Sequence, residues 1–79
     1  MRILDDQNNK KLDRVGLYLT RDEAIQLKGY LEQLLSDPDM HHAHLSSDDY
    51  QKEVTVSIYD QTNLRGFDDR SKKLIREDA

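Results

Sequence analysis

The segment TRDEAIQLKGYLEQLLSDP, residues 20–38, contains signals for both the start and the end of an amphipathic helix. Thr20 followed by Glu23 has the spacing of a capping box, in which two side chains satisfy backbone N–H groups at a helix start. Pro38 disfavours helical geometry at the residue before it, so the helix is expected to end near Ser36. Between these signals the apolar residues recur at helical spacing, at Ala24, Ile25, Leu27, Leu31, Leu34 and Leu35.

Three segments around this helix alternate between apolar and polar residues, as strands with one buried face do. The first is VGLYL, residues 15–19, directly before the helix. The second and third are HHAHLSS, residues 41–47, and EVTVSIYD, residues 53–60, and the polar loop between them predicts an antiparallel hairpin. The residues expected on the buried face of this hairpin are Ala43, Leu45, Val54, Val56 and Ile58.

A second helix is predicted after Asp60, with Thr62 or Asn63 as its N-cap. Its apolar positions are Leu64, Phe67, Leu74 and Ile75. Residues 1–13 show no apolar period and are expected to be a flexible lead-in, which leaves residues 14–77 as a single compact domain. The predicted fold is α+β in the order β-α-β-β-α, a two-layer sandwich with both helices on one face of a small three-stranded sheet.

Composition narrows the classes of function. The chain has no cysteine, which excludes disulfides and thiol chemistry. Its formal net charge is −4. Binding to nucleic acid is not expected, because it depends on clustered basic residues that neutralise phosphates. The sequence shows neither a secretory signal nor an apolar run long enough to cross a membrane, so we expect a cytoplasmic protein without a membrane partner. A core as thin as that of a 79-residue chain is often completed by a second copy, and a homodimer is expected.

The histidines at positions 41, 42 and 44 are the candidate metal ligands. Residues i and i+2 of a strand project from one face about 6.5–7 Å apart, so His42 and His44 are placed to share a zinc or nickel ion. A third ligand would have to come from His41, Asp37 or Asp39, or from a neighbouring strand. The alternatives are a pH-sensitive cluster, because imidazoles titrate near neutral pH, and exposed strand residues with incidental affinity for metals.

The polar face of the predicted sheet combines aromatic, imidazole and hydroxyl groups, which suit contacts with another protein. The candidate partner-binding residues are Tyr18, His42, His44, Thr55, Ser57 and Tyr59. The alternative is an ordinary solvated sheet face. Acidic residues clustered near the loops offer a second contact surface or, alternatively, simply build turns; these are Asp37, Asp39, Asp48, Asp49 and Glu53.

No catalytic residue is predicted. The chain has three glycines in all, and it contains neither a nucleophile elbow nor a glycine-rich phosphate loop. His44, Ser46 and Asp48 are close in sequence, but a catalytic triad is defined by spatial geometry and not by adjacency. The sequence therefore favours a protein that is not an enzyme and has no resident cofactor other than the metal ion considered above.

Three stretches together, YLTRDEAIQLKGYLEQLL, KEVTVSIYD and FDDRSKKLI, resemble a family of small bacterial α+β proteins of uncharacterised function, over roughly residues 14–77. The resemblance implies a bacterial origin and one compact domain, and it implies no activity. In size and charge the chain is also similar to small acidic immunity proteins that neutralise toxins. The predicted function is a non-catalytic protein–protein interaction module, self-associating or binding another protein. The alternatives are transition-metal binding through residues 41–44 and toxin neutralisation.

Overall fold

The computed structural model describes all 79 residues and shows an α+β protein. In chain order the elements are β1 (Ile3–Asp5), β2 (Lys10–Leu12), α1 (Arg21–Ser36), β3 (His42–Ser46), β4 (Glu53–Ser57) and α2 (Asp69–Glu77). The strands form two separate antiparallel sheets, β1–β2 and β3–β4. The α+β class is confirmed, but the predicted three-stranded sheet is wrong. Neither helix has the length and apolar character needed to cross a membrane.

The chain divides into two compact units, and both of its boundaries fall inside the single domain predicted for residues 14–77. One unit consists of Met1–Leu17 with Asp60–Ala79 and contains β1, β2 and α2. The other consists of Tyr18–Tyr59 and contains α1, β3 and β4. The residues predicted to bind a partner or a metal all belong to this second unit.

Helix α1 begins and ends where the sequence predicts. The Thr20 hydroxyl accepts a hydrogen bond from the Glu23 backbone N–H at 3.2 Å, and the Glu23 carboxylate accepts one from the Thr20 N–H at 2.9 Å. These two bonds complete the predicted capping box. After Ser36 the chain turns extended at Asp37, the residue before Pro38, as the steric effect of proline requires.

Strands β3 and β4 form the predicted hairpin, and its apolar face forms the core of this unit. Ala43 pairs with Val56 and Leu45 with Val54. Leu45 is 3% exposed and Ala43 5%, and α1 packs against their strand. The third predicted strand is too long, because β4 ends at Ser57. Ile58 lies beyond the paired residues and is 46% exposed.

Residues 15–19 form no strand, which corrects the first predicted element. Val15, Leu17 and Tyr18 are all at least half exposed, and the segment has no regular structure. An alternating pattern defines a potential buried face, but a strand also needs a neighbour for its backbone N–H and C=O groups. The strands β3 and β4 pair only with each other, so this segment has no partner.

The N-terminal segment forms the β1–β2 hairpin, where the sequence predicts a flexible lead-in over residues 1–13. Ile3 pairs with Leu12 and Asp5 with Lys10. The turn is stabilised by the Asp5 side chain, which accepts hydrogen bonds from the backbone N–H groups of the second and third residues after it. Strands of three residues are too short to show a period in the sequence, whereas an Asp side chain in a turn is a favourable local contact.

Helix α2 begins later than predicted. Asp68 is its N-cap, and the Asp68 side chain accepts a hydrogen bond from the Ser71 backbone N–H at 2.7 Å. The predicted cap at Thr62 or Asn63 is wrong, because Thr62 donates through its N–H and hydroxyl to Asp60 in a turn. Gly66 then adopts a φ of 91°, which ends any helix that begins before it. The buried apolar residues of this region are Leu64, Leu74 and Ile75.

Candidate functional site

The β3–β4 hairpin has one face that carries its core residues and one polar face. We call the polar face the open face, and it consists of His42, His44, Ser46, Glu53, Thr55 and Ser57. The pairing places His42 beside Ser57 and His44 beside Thr55. These four side chains, which the sequence proposes as partner-binding, are exposed and share this face.

His44 is the most connected side chain of the open face. Its Nδ1 lies 2.7 Å from Glu53 Oε1 and 2.9 Å from Thr55 Oγ1. A carboxylate can only accept, so the contact with Glu53 requires a proton on Nδ1. In the neutral ring this leaves the Nε2 lone pair unused. The contact itself is half-exposed and adds little stability, but it fixes the orientation of the imidazole ring.

The two imidazoles of β3 lie together as the sequence predicts. The ring centroids of His42 and His44 are 4.9 Å apart, and the rings meet edge to face at 74°. No group of three or more His, Cys, Asp or Glu side chains in the chain is arranged to hold one metal ion. Asp37, one of the predicted third ligands, accepts a hydrogen bond from the Asp39 N–H within a turn. Zinc or nickel binding therefore has two candidate ligands within one chain and stays a prediction.

The two tyrosines of the predicted site lie outside the strands. Tyr18 precedes α1 and is 97% exposed, and Tyr59 lies two residues beyond the end of β4 and is half-buried. Neither residue belongs to the open face. Glu53, by contrast, belongs to it and was assigned from the sequence to an acidic loop. The two-residue period of β4 places Glu53 with Thr55, so the signal was present in the sequence.

The acidic residues of the loops take part in local turns. Asp49, between β3 and β4, accepts hydrogen bonds from the Ser47 hydroxyl and from the Gln51 backbone N–H. These bonds, with that of Ser47 the larger influence, hold the pKa of Asp49 below its usual range. Asp37 plays a similar part before β3. The contacts favour the interpretation of these carboxylates as turn residues.

No family model, curated protein or solved structure matches the chain. The resemblance to a family of small bacterial proteins stays a prediction. The open face and the edges of its hairpin are the features from which a function can be argued.

Proposed function

We propose that the protein is a non-catalytic protein–protein interaction module and that its contact surface is the open face of the β3–β4 hairpin. The observation that carries the proposal is the exposure of His42, His44 and Thr55 on a hairpin whose other face is buried through Ala43 and Leu45. A surface built on paired strands loses little conformational freedom on binding, which favours affinity. Imidazole, hydroxyl and carboxylate groups supply the hydrogen bonds of a polar interface.

The contacts of His44 argue against catalysis. In a triad the base uses one ring nitrogen for the nucleophile and the other for the orienting carboxylate. Here both Thr55 and Glu53 approach the same nitrogen, Nδ1. Because Nδ1 carries the proton that Glu53 accepts, it cannot take the proton of the Thr55 hydroxyl. The arrangement orients the imidazole but does not activate a nucleophile.

A photo-reactive benzoylphenylalanine at Ser57, on the open face, tests the proposal in living cells. We expect discrete cross-linked products from this position and none from the same probe at Gln26, which is exposed on α1. Adding His44→Ala should reduce the yield of these products several-fold, because the ring and its contact with Glu53 are removed. The proposal fails if both positions give the same pattern or if the yield is indifferent to His44→Ala.

Metal binding is the second candidate function, and the contact between His44 and Glu53 favours it. A carboxylate that holds the far nitrogen of a ligating imidazole is a common support of zinc sites. With Nδ1 held by Glu53, Nε2 of His44 is available as a ligand, and the His42 ring lies beside it. A further ligand would come from a second molecule, because one chain brings no third group into place.

Titration with zinc, followed through the ring signals of the histidines, tests this candidate. We expect saturable shifts at Nε2 of His44 and at His42, with His41 unaffected. Glu53→Gln should weaken binding about tenfold, since supporting carboxylates typically contribute 10–100-fold to metal affinity. Broadening of all three histidines without saturation would contradict a defined site.

Toxin neutralisation would be a special form of the interaction proposal, with a basic protein as the partner. The loop carboxylates on which that form depends, such as Asp49, are engaged in turns. The open face is therefore the better-supported surface.

A further inference from the structure

The outer edge of β4 carries backbone groups that have no strand beside them. The Ser47 N–H donates to the Lys52 carbonyl at 2.9 Å, which makes these two residues a hydrogen-bonded pair of the ladder. Such pairs alternate along antiparallel strands, so Val54 and Val56 bond to β3. The N–H and C=O groups of the intervening residues Glu53, Thr55 and Ser57 then point away from β3. Since β4 pairs only with β3, these groups meet no other strand.

The apolar side of β4 is also less covered than that of β3. Helix α1 packs against β3, where Ala43 and Leu45 are buried. Val54 and Val56 on β4 are only half-buried, and Ile58 beyond them is exposed. No large side chain in the chain is fully buried. The core of this unit is thus incomplete on the side of β4.

The sequence of β4, EVTVS, is complementary to itself in an antiparallel arrangement. If a second copy pairs with β4 about a two-fold axis at Thr55, Val54 lies opposite Val56 of the second copy, and Glu53 lies opposite its Ser57. Apolar residues then meet apolar residues, and no like charges are opposed. The outward N–H and C=O groups of Thr55 are in position for the central hydrogen-bonded pair.

The outer edge of β3 is less suited to the same arrangement. Its central residue is His44, so a two-fold axis there would oppose two imidazoles, which repel each other when protonated. Natural edge strands avoid such pairing through charged side chains, lysine above all, or through proline or bulges. Of these, β4 has only the charge of Glu53, at its end. Of the two outer edges of the hairpin, that of β4 is therefore better suited to pair with a second copy.

We propose that two copies of the chain associate through their β4 edges to form a four-stranded antiparallel sheet in the order β3–β4–β4–β3. The inference rests on the proposed function, because it names a second copy as a partner of the same hairpin. In the dimer the two open faces join into one continuous polar surface. The half-buried valines of each copy gain an apolar neighbour across the new strand pair, on the face of the sheet that lies opposite the open face.

Proline substitutions that remove an outward N–H from β4 or from β3 test the dimer. Thr55→Pro removes an N–H that points away from β3, so the hairpin keeps its own ladder while the dimer loses its two central hydrogen bonds. We expect sedimentation equilibrium to show a reversible dimer for the native chain and a dissociation constant at least about 30-fold higher for Thr55→Pro. Ser46→Pro removes an outward N–H from β3 instead and should leave the dissociation constant within about threefold.

A second measurement decides the matter if a proline variant does not fold. In an equimolar mixture of differently isotope-labelled native chains, nuclear Overhauser effects between chains are expected from Val54 to Val56. A native chain that is monomeric at about 1 mM, or a dimer whose contacts lie elsewhere, overturns the inference. If the chain is monomeric but the probe at Ser57 still captures another protein, the proposed function stands without the dimer. If neither occurs, both fail.

Discussion

Leu45→Ala is expected to lower the free energy of unfolding by about 2–4 kcal/mol, the usual cost of truncating a buried leucine. Leu45 is the most buried apolar residue of the chain, at 3% exposure, and it pairs with Val54 in the strand that contacts α1. A chain of this size is typically stable by roughly 4–12 kcal/mol, so the loss is a large fraction of the total. The corresponding fall in the melting temperature is roughly 10–30 °C.

Urea and thermal unfolding, followed by far-ultraviolet circular dichroism, measure this effect. The matched control is Leu35→Ala, because Leu35 is on α1 and is 76% exposed. Its unfolding free energy should stay within about 0.5 kcal/mol of the native value. Equal losses in the two variants would contradict the position of Leu45 at the centre of the core.

Arg2→Ala is expected to lower the free energy of unfolding by about 1–2 kcal/mol. The Arg2 guanidinium Nε donates to the carbonyl oxygens of Leu74 at 3.1 Å and Ile75 at 3.3 Å, near the end of α2. Carbonyl groups in the last turn of a helix are short of N–H donors, and that of Leu74 accepts from the Asp78 N–H at 2.9 Å as well as from Arg2. A positive charge there also offsets the helix dipole. The N-terminal segment thus stabilises α2 from the opposite end of the sequence.

Hydrogen exchange of the α2 amides checks this contact together with the melting temperature. Exchange near Leu74 and Ile75 should accelerate in Arg2→Ala, and Arg2→Lys should restore only part of the protection, because lysine keeps the charge without the planar fork. Arg14→Ala removes an exposed arginine from the same segment and should leave α2 unchanged. The same acceleration in both alanine variants would show that the effect does not come from the contact of Arg2.

The elements that the sequence predicts correctly depend on local signals. Helix α1 is bounded by the capping box of Thr20 and by Pro38, and each of these acts over a few residues. The faces of β3 and β4 follow from a period of two, which is why the sequence alone places His42 and His44 on one face. The contact of His44 with Glu53 was not predicted, because it depends on the diagonal neighbour across the hairpin as well as on the period.

The elements that the sequence predicts wrongly depend on a neighbouring strand or on competition between possible helix caps. Residues 15–19 alternate as a strand does, but they find no neighbouring strand. Thr62 and Asn63 are the predicted caps of the second helix, but the turn at Asp60 and the φ of Gly66 leave Asp68, which is not one of the predicted caps, as the effective N-cap. In each case the local pattern alone does not select the structure that forms, and the surrounding residues decide it.

The sequence by itself determined the start and end of α1, the β3–β4 hairpin except for the end of β4, and the apolar face shared by Ala43, Leu45, Val54 and Val56. These features arise from sterics, capping bonds and side-chain alternation, which involve residues close together in the chain. Only the tertiary structure decided that the sheet of β3 and β4 stops at two strands, that Arg2 contacts the end of α2, and that His44 meets Glu53. Those features are contacts, or missing contacts, between groups that are not neighbours in the sequence. The free energy of such contacts depends on the packing of the whole chain and not on a local pattern.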